Sequence, residues 1–205
     1  QINRDLNILR KLCVDFVFIP KTNEIYQKKR GKKIMLKKRD IILCAKHRKG
    51  HFEGVIDVVD RLLNLIKPTS LFMGEKDFQQ LHLIKKYLLK KYKTKIYPCK
   101  TIRNKYQVAL STRNFLLSNK ELKVAGYVAE NLRRFKKLSL KNYNKIKEIN
   151  DFKYFLIKKI NTKFNFKIEY LEIKSLKNLS NYRNNQRFKI FIAYYINNIR
   201  LIDNF

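Results

Sequence analysis

An apolar run that breaks at a glycine and continues as a helical segment constrains the fold of this chain more than any other feature. Residues 70–73 form the run, Gly74 breaks it, and residues 78–92 carry apolar side chains at helical spacing. This order predicts a strand, a tight turn and a helix, with Lys76 and Asp77 in the turn. Such a turn presents backbone N–H groups and the positive end of the helix dipole, which together suit a phosphate group.

Two interpretations of the polar residues in this turn remain open. In the first, Lys76 adds a positive charge beside the phosphate and Asp77 accepts hydrogen bonds from sugar hydroxyls. In the second, Asp77 and Gln80 form a capping box at the start of the helix, and Lys76 is simply solvated.

The net charge of the chain raises a different possibility, which is binding to nucleic acid. The chain has 48 Lys+Arg against 16 Asp+Glu, a formal charge of +32, and such an excess is typical of proteins that bind polyanions. Lysine is spread over nearly every segment, however, together with frequent asparagine and isoleucine, which indicates a compositional bias of the whole chain. The densest basic run, residues 28–33, is as typical of a loop as of a binding surface. We therefore rank a basic nucleic-acid-binding protein without enzymatic activity second.

Composition and the cysteine pattern narrow the class of protein. A hydrophobic content of 45% in 205 residues predicts a globular chain with a proper core. No apolar run is long enough for a membrane span, and no signal-peptide pattern opens the chain. Cys13, Cys44 and Cys99 are widely spaced, so the sequence predicts neither a disulfide framework nor a zinc site. A reducing, cytoplasmic setting follows.

Periodicity and chain breakers predict the order of helices and strands. The predicted helices cover residues 2–12, 23–26 (one turn), 54–66, 78–92, 119–135 and 149–160. The predicted strands cover residues 14–19, 34–36, 70–73, 95–99, 167–173, 188–195 and 199–202. Alternating strands and helices predict an α/β fold with a parallel sheet in residues 1–110, and helices followed by strands predict a small α+β domain with an antiparallel sheet in residues 111–205.

Two basic residues at the entrance of a predicted helix are candidates for anion binding. Arg48 and His51 precede the helix predicted at residues 54–66, where the helix dipole favours an anion, and we assign them to substrate binding. The spacing of His47 and His51 also suits a metal ion, but no acidic partner lies nearby. We therefore assign no metal ligand.

Two hydroxyls followed by an arginine form another candidate site. Ser111, Thr112 and Arg113 would offer a compact set of hydrogen-bond donors to a phosphate chain. The alternative is that Ser111 or Thr112 caps a helix, and the sequence favours neither interpretation.

Four motifs occur in a fixed order along the chain. They are Arg48-Lys49-Gly50-His51-Phe52-Glu53-Gly54-Val55, Gly74-Glu75-Lys76-Asp77-Phe78-Gln79-Gln80, Ser111-Thr112-Arg113-Asn114 and the terminal Arg200-Leu201-Ile202-Asp203-Asn204. In order and spacing they resemble the pantoate–beta-alanine ligase (pantothenate synthetase) family, and the resemblance covers essentially the whole chain. It implies a Rossmann-like nucleotide-binding domain followed by a smaller domain, in a cytoplasmic homodimer. It also implies that ATP and Mg²⁺ are used to join pantoate to beta-alanine through a pantoyl-adenylate, with release of AMP and pyrophosphate.

The resemblance also implies roles for individual residues. Lys76 would contact the reacting phosphate, Asp77 would lie near the ribose, and Gln80 would bind the hydroxyls of pantoate. The residues implied to bind ATP are Gly74, Glu75, Lys76, Asp77, Ile102 (at the adenine), Leu110, Ser111, Thr112 and Arg113. Lys76 and Arg113 would be catalytic, because both can stabilise the negative charge that develops at the α-phosphorus.

One motif of the family has no match in this chain. The family carries a His-x-Gly-His loop with its general acid and half of the ATP site, whereas this chain starts at Gln1 inside a predicted helix. We therefore expect an incomplete Rossmann-like domain, and we expect these 205 residues alone to be poorly soluble, to bind ATP weakly and to form no pantothenate.

Overall fold

The computed structural model describes residues 2–26, 34–141, 147–160, 165–182 and 186–205. By its internal contacts the chain divides into a first unit, residues 1–33, and a second unit, residues 34–205. The predicted domain boundary between residues 110 and 111 lies within the second unit and remains a prediction.

The described residues of the first unit, 2–26, contain two helices. Helix α1 spans Ile2–Lys11 and the short helix α2 spans Thr22–Ile25. Each end lies within one residue of the end that the sequence predicts. The predicted strand at residues 14–19 is wrong, because these residues are exposed and pair with no strand in the described part of the chain. A strand needs a neighbour for its N–H and C=O groups, and an apolar run does not supply one. The basic run at residues 28–33, for which the sequence allows a loop or a binding surface, lies outside the described residues.

The second unit opens with an α/β arrangement. Helices α3 (Cys44–His47) and α4 (His51–Ile66) precede strand β1 (Ser70–Gly74), helix α5 (Phe78–Leu88) and strand β2 (Lys95–Cys99). The two strands pair in parallel, and α5 is the crossover that a parallel pair requires. The predicted parallel sheet is therefore confirmed. The predicted strand at residues 34–36 is wrong, since these residues pair with no described strand.

Helix α5 is shorter than the sequence predicts, because it ends at Leu88 instead of Tyr92. The residues after it turn toward the buried Asp60 of α4: Lys91 Nζ lies 2.7 Å from Asp60 Oδ1, and the Tyr92 hydroxyl donates a 2.8 Å hydrogen bond to the Asp60 carbonyl. A buried carboxylate needs partners, and the contacts that Lys91 and Tyr92 make with Asp60 stabilise the chain more than another turn of α5 would.

The rest of the second unit is an α+β arrangement, as the sequence predicts. It comprises helices α6 (Asn119–Lys141) and α7 (Ile149–Ile160) and strands β3 (Phe166–Ser175), β4 (Phe188–Ile196) and β5 (Ile199–Asn204). The strands form an antiparallel sheet in the order β3-β4-β5. A capping box starts α6: the backbone N–H of Ser118 donates to Glu121 at 2.7 Å, and the Ser118 hydroxyl accepts from the Glu121 N–H.

The central strand β4 buries both of its faces. Ile190, Ile192 and Ile196 belong to a core shared with α6 and α7, whereas Phe191 and Ala193 belong to a core shared with α4 and α5. Burial on both faces explains why β4 reads as a nearly unbroken apolar run. Among the described residues, no helix combines the length and apolar character needed to cross a membrane.

Candidate active site

The turn between β1 and α5 is built as the sequence predicts. A 3₁₀ turn over Glu75–Asp77 links Gly74 to the first residue of α5. The Asp77 side chain makes no capping hydrogen bond to α5, so the capping-box interpretation is wrong. Its carboxylate is half exposed and lies 3.9 Å from Lys76 Nζ. Lys76 and Asp77 both line a cavity beside the turn.

Two cavities meet at this turn. The first is lined by Arg48, His51, Lys76, Asp77 and Gln80, among others. The second is lined by Lys76, Ser111, Arg113 and Asn114, among others. Lys76, Ile202 and Asp203 line both cavities, so the two adjoin at the turn that follows β1, and we refer to them together as the cleft. Parallel α/β sheets bind their ligands at the carboxyl ends of their strands.

The cleft brings together most of the predicted site residues. Arg48, His51, Lys76, Asp77, Gln80, Ser111 and Arg113 all line it. Five others line neither of its cavities: Gly74, Glu75, Ile102, Leu110 and Thr112. Ile102, Leu110 and Thr112 are exposed, and the Glu75 carboxylate lies 3.6 Å from Lys189 Nζ. The roles of these five residues in ATP binding remain predictions, and so do the roles of the seven residues that line the cleft.

Arg48 and His51 reach the cleft through a glycine in a special conformation. Gly50 has φ +76°, the left-handed region, and caps the N-terminus of α4 there. This residue turns the chain so that Arg48 and the first residue of α4 both line the first cavity. Burial and the positive charge of Arg48 lower the pKa of His51, so its imidazole is neutral at pH 7.

The Ser111–Arg113 segment is held by its own side chains and by β5. The Ser111 hydroxyl accepts a 3.3 Å hydrogen bond from the Arg113 N–H, which confirms the capping interpretation for Ser111. The Asn114 amide donates to the Ala109 carbonyl at 3.0 Å. The guanidinium group of Arg113 donates to the backbone carbonyl of Arg200 at 3.2 Å. Arg113 is therefore fixed in the second cavity from both ends.

An ion pair that the sequence interpretation missed supports the floor of the cleft. Arg103 donates to both carboxylate oxygens of Asp203, at 2.7 and 2.9 Å, and also to the carbonyls of Gln107 and Asn204. Burial raises the pKa of Asp203, and the hydrogen bonds and charge of Arg103 oppose that rise only in part. Asp203 belongs to the terminal motif of the sequence. Arg103 belongs to none of the four motifs, and the residues around it do not indicate that it forms an ion pair.

A second missed pair lies behind the first cavity. Arg200 donates to the Glu169 carboxylate at 2.5 Å and to the buried Cys44 Sγ at 3.4 Å. Burial alone would raise the pKa of Glu169, but the hydrogen bond and charge of Arg200 outweigh it and the pKa is lowered. The pair stays ionised at neutral pH. The positive charge of its Arg200 member contributes to the lowered pKa of His51.

The two histidines considered as metal ligands lie in different surroundings. His51 lines the first cavity, whereas the His47 ring stacks on Tyr170 with 5.7 Å between ring centroids. No group of three or more His, Cys, Asp or Glu able to hold a metal ion occurs among the described residues. The cleft instead collects three cationic groups, from Arg48, Lys76 and Arg113, and this set suits anionic ligands.

Comparison with known proteins gives a family for this arrangement. The sequence model described as pantoate-beta-alanine ligase matches residues 1–205. The pantothenate synthetase of Azobacteroides pseudotrichonymphae is 35% identical over 208 residues, which cover 99% of this chain and 72% of that protein. The pantothenate synthetase of Ruthia magnifica is 38% identical over 208 residues, which cover 99% of this chain and 71% of that protein.

Two solved structures with folds similar to that of this chain are also pantothenate synthetases. Pantothenate synthetase from Thermus thermophilus superposes with a TM-score of 0.86 over 100% of this chain and 74% of its own, at 24% identity, which bears on the fold alone. Pantoate-beta-alanine ligase from Francisella tularensis, solved in complex with beta-gamma ATP and beta-alanine, has a TM-score of 0.76 at 34% identity, over 100% of this chain and 69% of its own. None of these comparisons supports the nucleic-acid-binding alternative.

Proposed function

This chain belongs to the pantoate–beta-alanine ligase family, and we propose that its cleft joins pantoate to beta-alanine at the expense of ATP. The observation that carries the proposal is the meeting of two cavities at Lys76, one with Arg48, His51 and Gln80 and the other with Ser111 and Arg113. By their lining side chains, the first cavity would contact pantoate and the second would contact the phosphate chain of ATP. A residue shared by both is where the two substrates would react.

The first step we propose is adenylation of pantoate. A carboxylate oxygen of pantoate attacks the α-phosphorus of ATP, and the bond to the pyrophosphate oxygen breaks, which leaves pantoyl-adenylate and pyrophosphate. Negative charge builds on the pentavalent phosphorus during this step. Lys76 and Arg113 are the two cations of the second cavity, and they would stabilise that charge.

Pantoate itself would be bound in the first cavity. Arg48 supplies a cation for an anionic ligand, and Gln80 supplies an amide for the hydroxyl groups. The neutral imidazole of His51 offers one donor and one acceptor without adding a further charge to a strongly positive site.

The second step we propose is formation of the amide bond. The amine of beta-alanine attacks the carbonyl carbon of pantoyl-adenylate, AMP leaves, and the amine loses a proton. The adenylate is already activated, so the protein serves this step mainly by aligning the two reactants.

Mg²⁺ forms part of the proposal as the ion that accompanies ATP. Magnesium ions are usually bound by substrate phosphates and water with only one or two carboxylates from the protein. The cleft is compatible with this mode, because the half-exposed Asp77 carboxylate at the turn would be available to hold such an ion. Bound there, the ion would neutralise phosphate charge.

The homodimer and the cytoplasmic location rest on the family resemblance. The three cysteines are free thiols, which suits a reducing compartment. Sedimentation of the purified protein at several concentrations tests the first expectation, and fractionation of the source cells tests the second.

Binding and turnover together test the proposed function. We expect calorimetry to detect binding of ATP and pantoate. Any release of pyrophosphate should require pantoate, and any release of AMP should require beta-alanine as well. Turnover to pantothenate would contradict the expectation of an inactive chain, whereas binding without turnover would support it. A protein that binds neither substrate would overturn the proposal.

A further inference from the structure

Asn204 in β5 contacts the turn that carries Lys76, although the two lie far apart in the sequence of the second unit. Its Nδ2 atom donates to the backbone carbonyls of Glu75 and Lys76, both at 2.9 Å, across sequence separations of 129 and 128 residues. The side chain is buried and lines the first cavity. We propose that Asn204 is a positioning residue, which sets the geometry of the Lys76 turn for the adenylation step.

The hydrogen-bond partners fix the orientation of the Asn204 amide. Both carbonyls can only accept hydrogen bonds, so the group that faces them is the amide N–H₂. The opposite atom, Oδ1, accepts a 2.7 Å hydrogen bond from Lys189 Nζ, which can only donate. A flipped amide would place an acceptor against two acceptors and a donor against a donor. Asparagine is therefore the side chain that satisfies all three partners.

The two hydrogen bonds determine where the backbone N–H groups of the turn point. A trans peptide unit is planar, and its C=O and N–H groups point in opposite directions; no described peptide bond is cis. Because Asn204 draws the Glu75 and Lys76 carbonyls toward β5, the N–H groups of Lys76 and Asp77 point away from β5. These N–H groups belong to the turn that carries Lys76, so Asn204 sets the direction of hydrogen-bond donors that it does not itself supply.

Neighbouring contacts make this arrangement rigid. The Asn204 backbone N–H donates to Asp203 Oδ1 at 2.7 Å, and the Asn204 carbonyl accepts from Arg103. Lys189 also lies 3.6 Å from the Glu75 carboxylate, so it contacts both the amide and the turn. Burial lowers the pKa of Lys189, and the charge of Glu75 opposes this shift. The amide is thus held at its oxygen and at its nitrogen, and the Asn204 backbone is held by Asp203 and Arg103.

Replacing Asn204 by aspartate tests the proposal with little change of shape. Asn204→Asp keeps the acceptor for Lys189 but turns an oxygen in place of the amide nitrogen toward the Glu75 and Lys76 carbonyls, which repels them. This proposal rests on the proposed function, so it predicts that the variant slows adenylate formation, measured as ATP–pyrophosphate exchange, by roughly ten- to a hundredfold, the effect of a displacement of about 1 Å. Reaction of supplied pantoyl-adenylate with beta-alanine should change much less, by at most about a few fold, since alignment of the adenylate depends less on the turn. A general loss of structure would slow both half-reactions alike.

Asn197→Asp is the matched control. Asn197 lies in the β4–β5 hairpin, and its amide donates to Glu121 at 2.6 Å, away from the cleft. The control introduces the same charge and removes one amide donor from the same sheet. It should leave both half-reactions unchanged. If Asn204→Asp does not fold, Asn204→Ala removes the donors without introducing a charge.

Amide hydrogen exchange decides the proposal independently of turnover. Asn204→Asp or Asn204→Ala should speed exchange at residues 75–78 by roughly tenfold or more relative to Asn197→Asp, with the core of β4 unchanged. Exchange in the turn that matches the control would overturn the positioning role. A wild-type protein that binds neither ATP nor pantoate would count against the proposed function, and the amide hydrogen-exchange result would still decide the role of Asn204.

Discussion

The two sheets of the second unit differ in burial and in what they contribute to the candidate site. The parallel pair β1–β2 is thin and partly exposed: Phe72 is 68% exposed, and its ring stacks on Tyr97 with 5.3 Å between centroids. The antiparallel sheet is buried on both faces along β4, where Ile192 is 1% exposed. The turn after β1 carries the lysine proposed to act in the reaction, but contacts from β5 hold that turn and Arg113 in place. The lysine proposed to act in the reaction therefore follows a strand of one sheet, whereas the residues that hold its turn and Arg113 in place belong to the other sheet.

The largest effect is expected where a buried charge supports the cleft. Arg103→Met would leave the Asp203 carboxylate buried without its cation, which costs about 3–5 kcal/mol of unfolding free energy at pH 7. Urea unfolding measures this loss. The double variant Arg103→Met with Asp203→Asn is the control, and it should recover most of the stability because a neutral amide needs no cation.

The same pair of variants predicts a pH dependence. Burial raises the pKa of Asp203 above its ordinary value of 3.8, so its protonated form is favoured by folding. The penalty in Arg103→Met relative to the double variant should therefore be absent at pH values below the ordinary pKa. It should grow as the pH rises from the ordinary pKa toward the raised pKa of the folded protein. A penalty that is constant with pH would show that lost packing of the arginine, and not the carboxylate charge, causes the instability.

The sequence could predict the parts of this site that are local. The strand, turn and helix around Lys76 and the hydroxyl–arginine segment at residues 111–113 are each made of neighbouring residues, and the cleft contains both. The supports could not be predicted in this way. Arg103 and Asp203 are 100 residues apart, and nothing near Arg103 in the sequence indicates its partner. The strand predicted at residues 14–19 failed for a related reason, since apolar character does not reveal whether a pairing partner exists.

Lys76→Ala should affect the reaction and leave the fold almost unchanged. A donor to a developing charge contributes about 3–4 kcal/mol to transition-state stabilisation, so in a protein that forms the adenylate this step should slow by roughly a hundred- to a thousandfold. Lys76 lies in a turn, and its 3.9 Å contact with the half-exposed Asp77 carboxylate is a weak ion pair, so urea unfolding should shift by less than about 0.5 kcal/mol. Lys90→Ala, at an exposed lysine after α5, is the control. A Lys76→Ala protein with unchanged adenylate formation would remove Lys76 from the proposed mechanism.

A pair of truncations compares the two sheets directly. Ile192→Ala opens a cavity in the core between β4 and the helices, and it should cost about 2–5 kcal/mol of unfolding free energy. Phe72→Ala removes a larger side chain from the exposed face of β1 and should cost less than about 1 kcal/mol, chiefly the stacking on Tyr97. Thermal or urea unfolding of both variants measures the contrast. Equal losses would mean that the face of the parallel pair carrying Phe72 is covered in solution.

The smallest effect is expected at two adjacent glutamines that differ in burial. Gln80 is partly exposed in the first cavity, whereas Gln79 is buried and donates a 2.7 Å hydrogen bond to the Ile42 carbonyl. Loss of one neutral hydrogen bond costs about 0.5–1.5 kcal/mol, so Gln80→Ala should raise the KM or Kd for pantoate roughly three- to tenfold. The values for ATP should stay unchanged, and so should the melting temperature, because no capping box forms at this helix start. Gln79→Ala is the matched variant, and it should lower the melting temperature while changing pantoate affinity less. If Gln80→Ala instead lowered the melting temperature and left pantoate affinity unchanged, Gln80 would be a structural residue and the first cavity would lack its proposed contact with the pantoate hydroxyls.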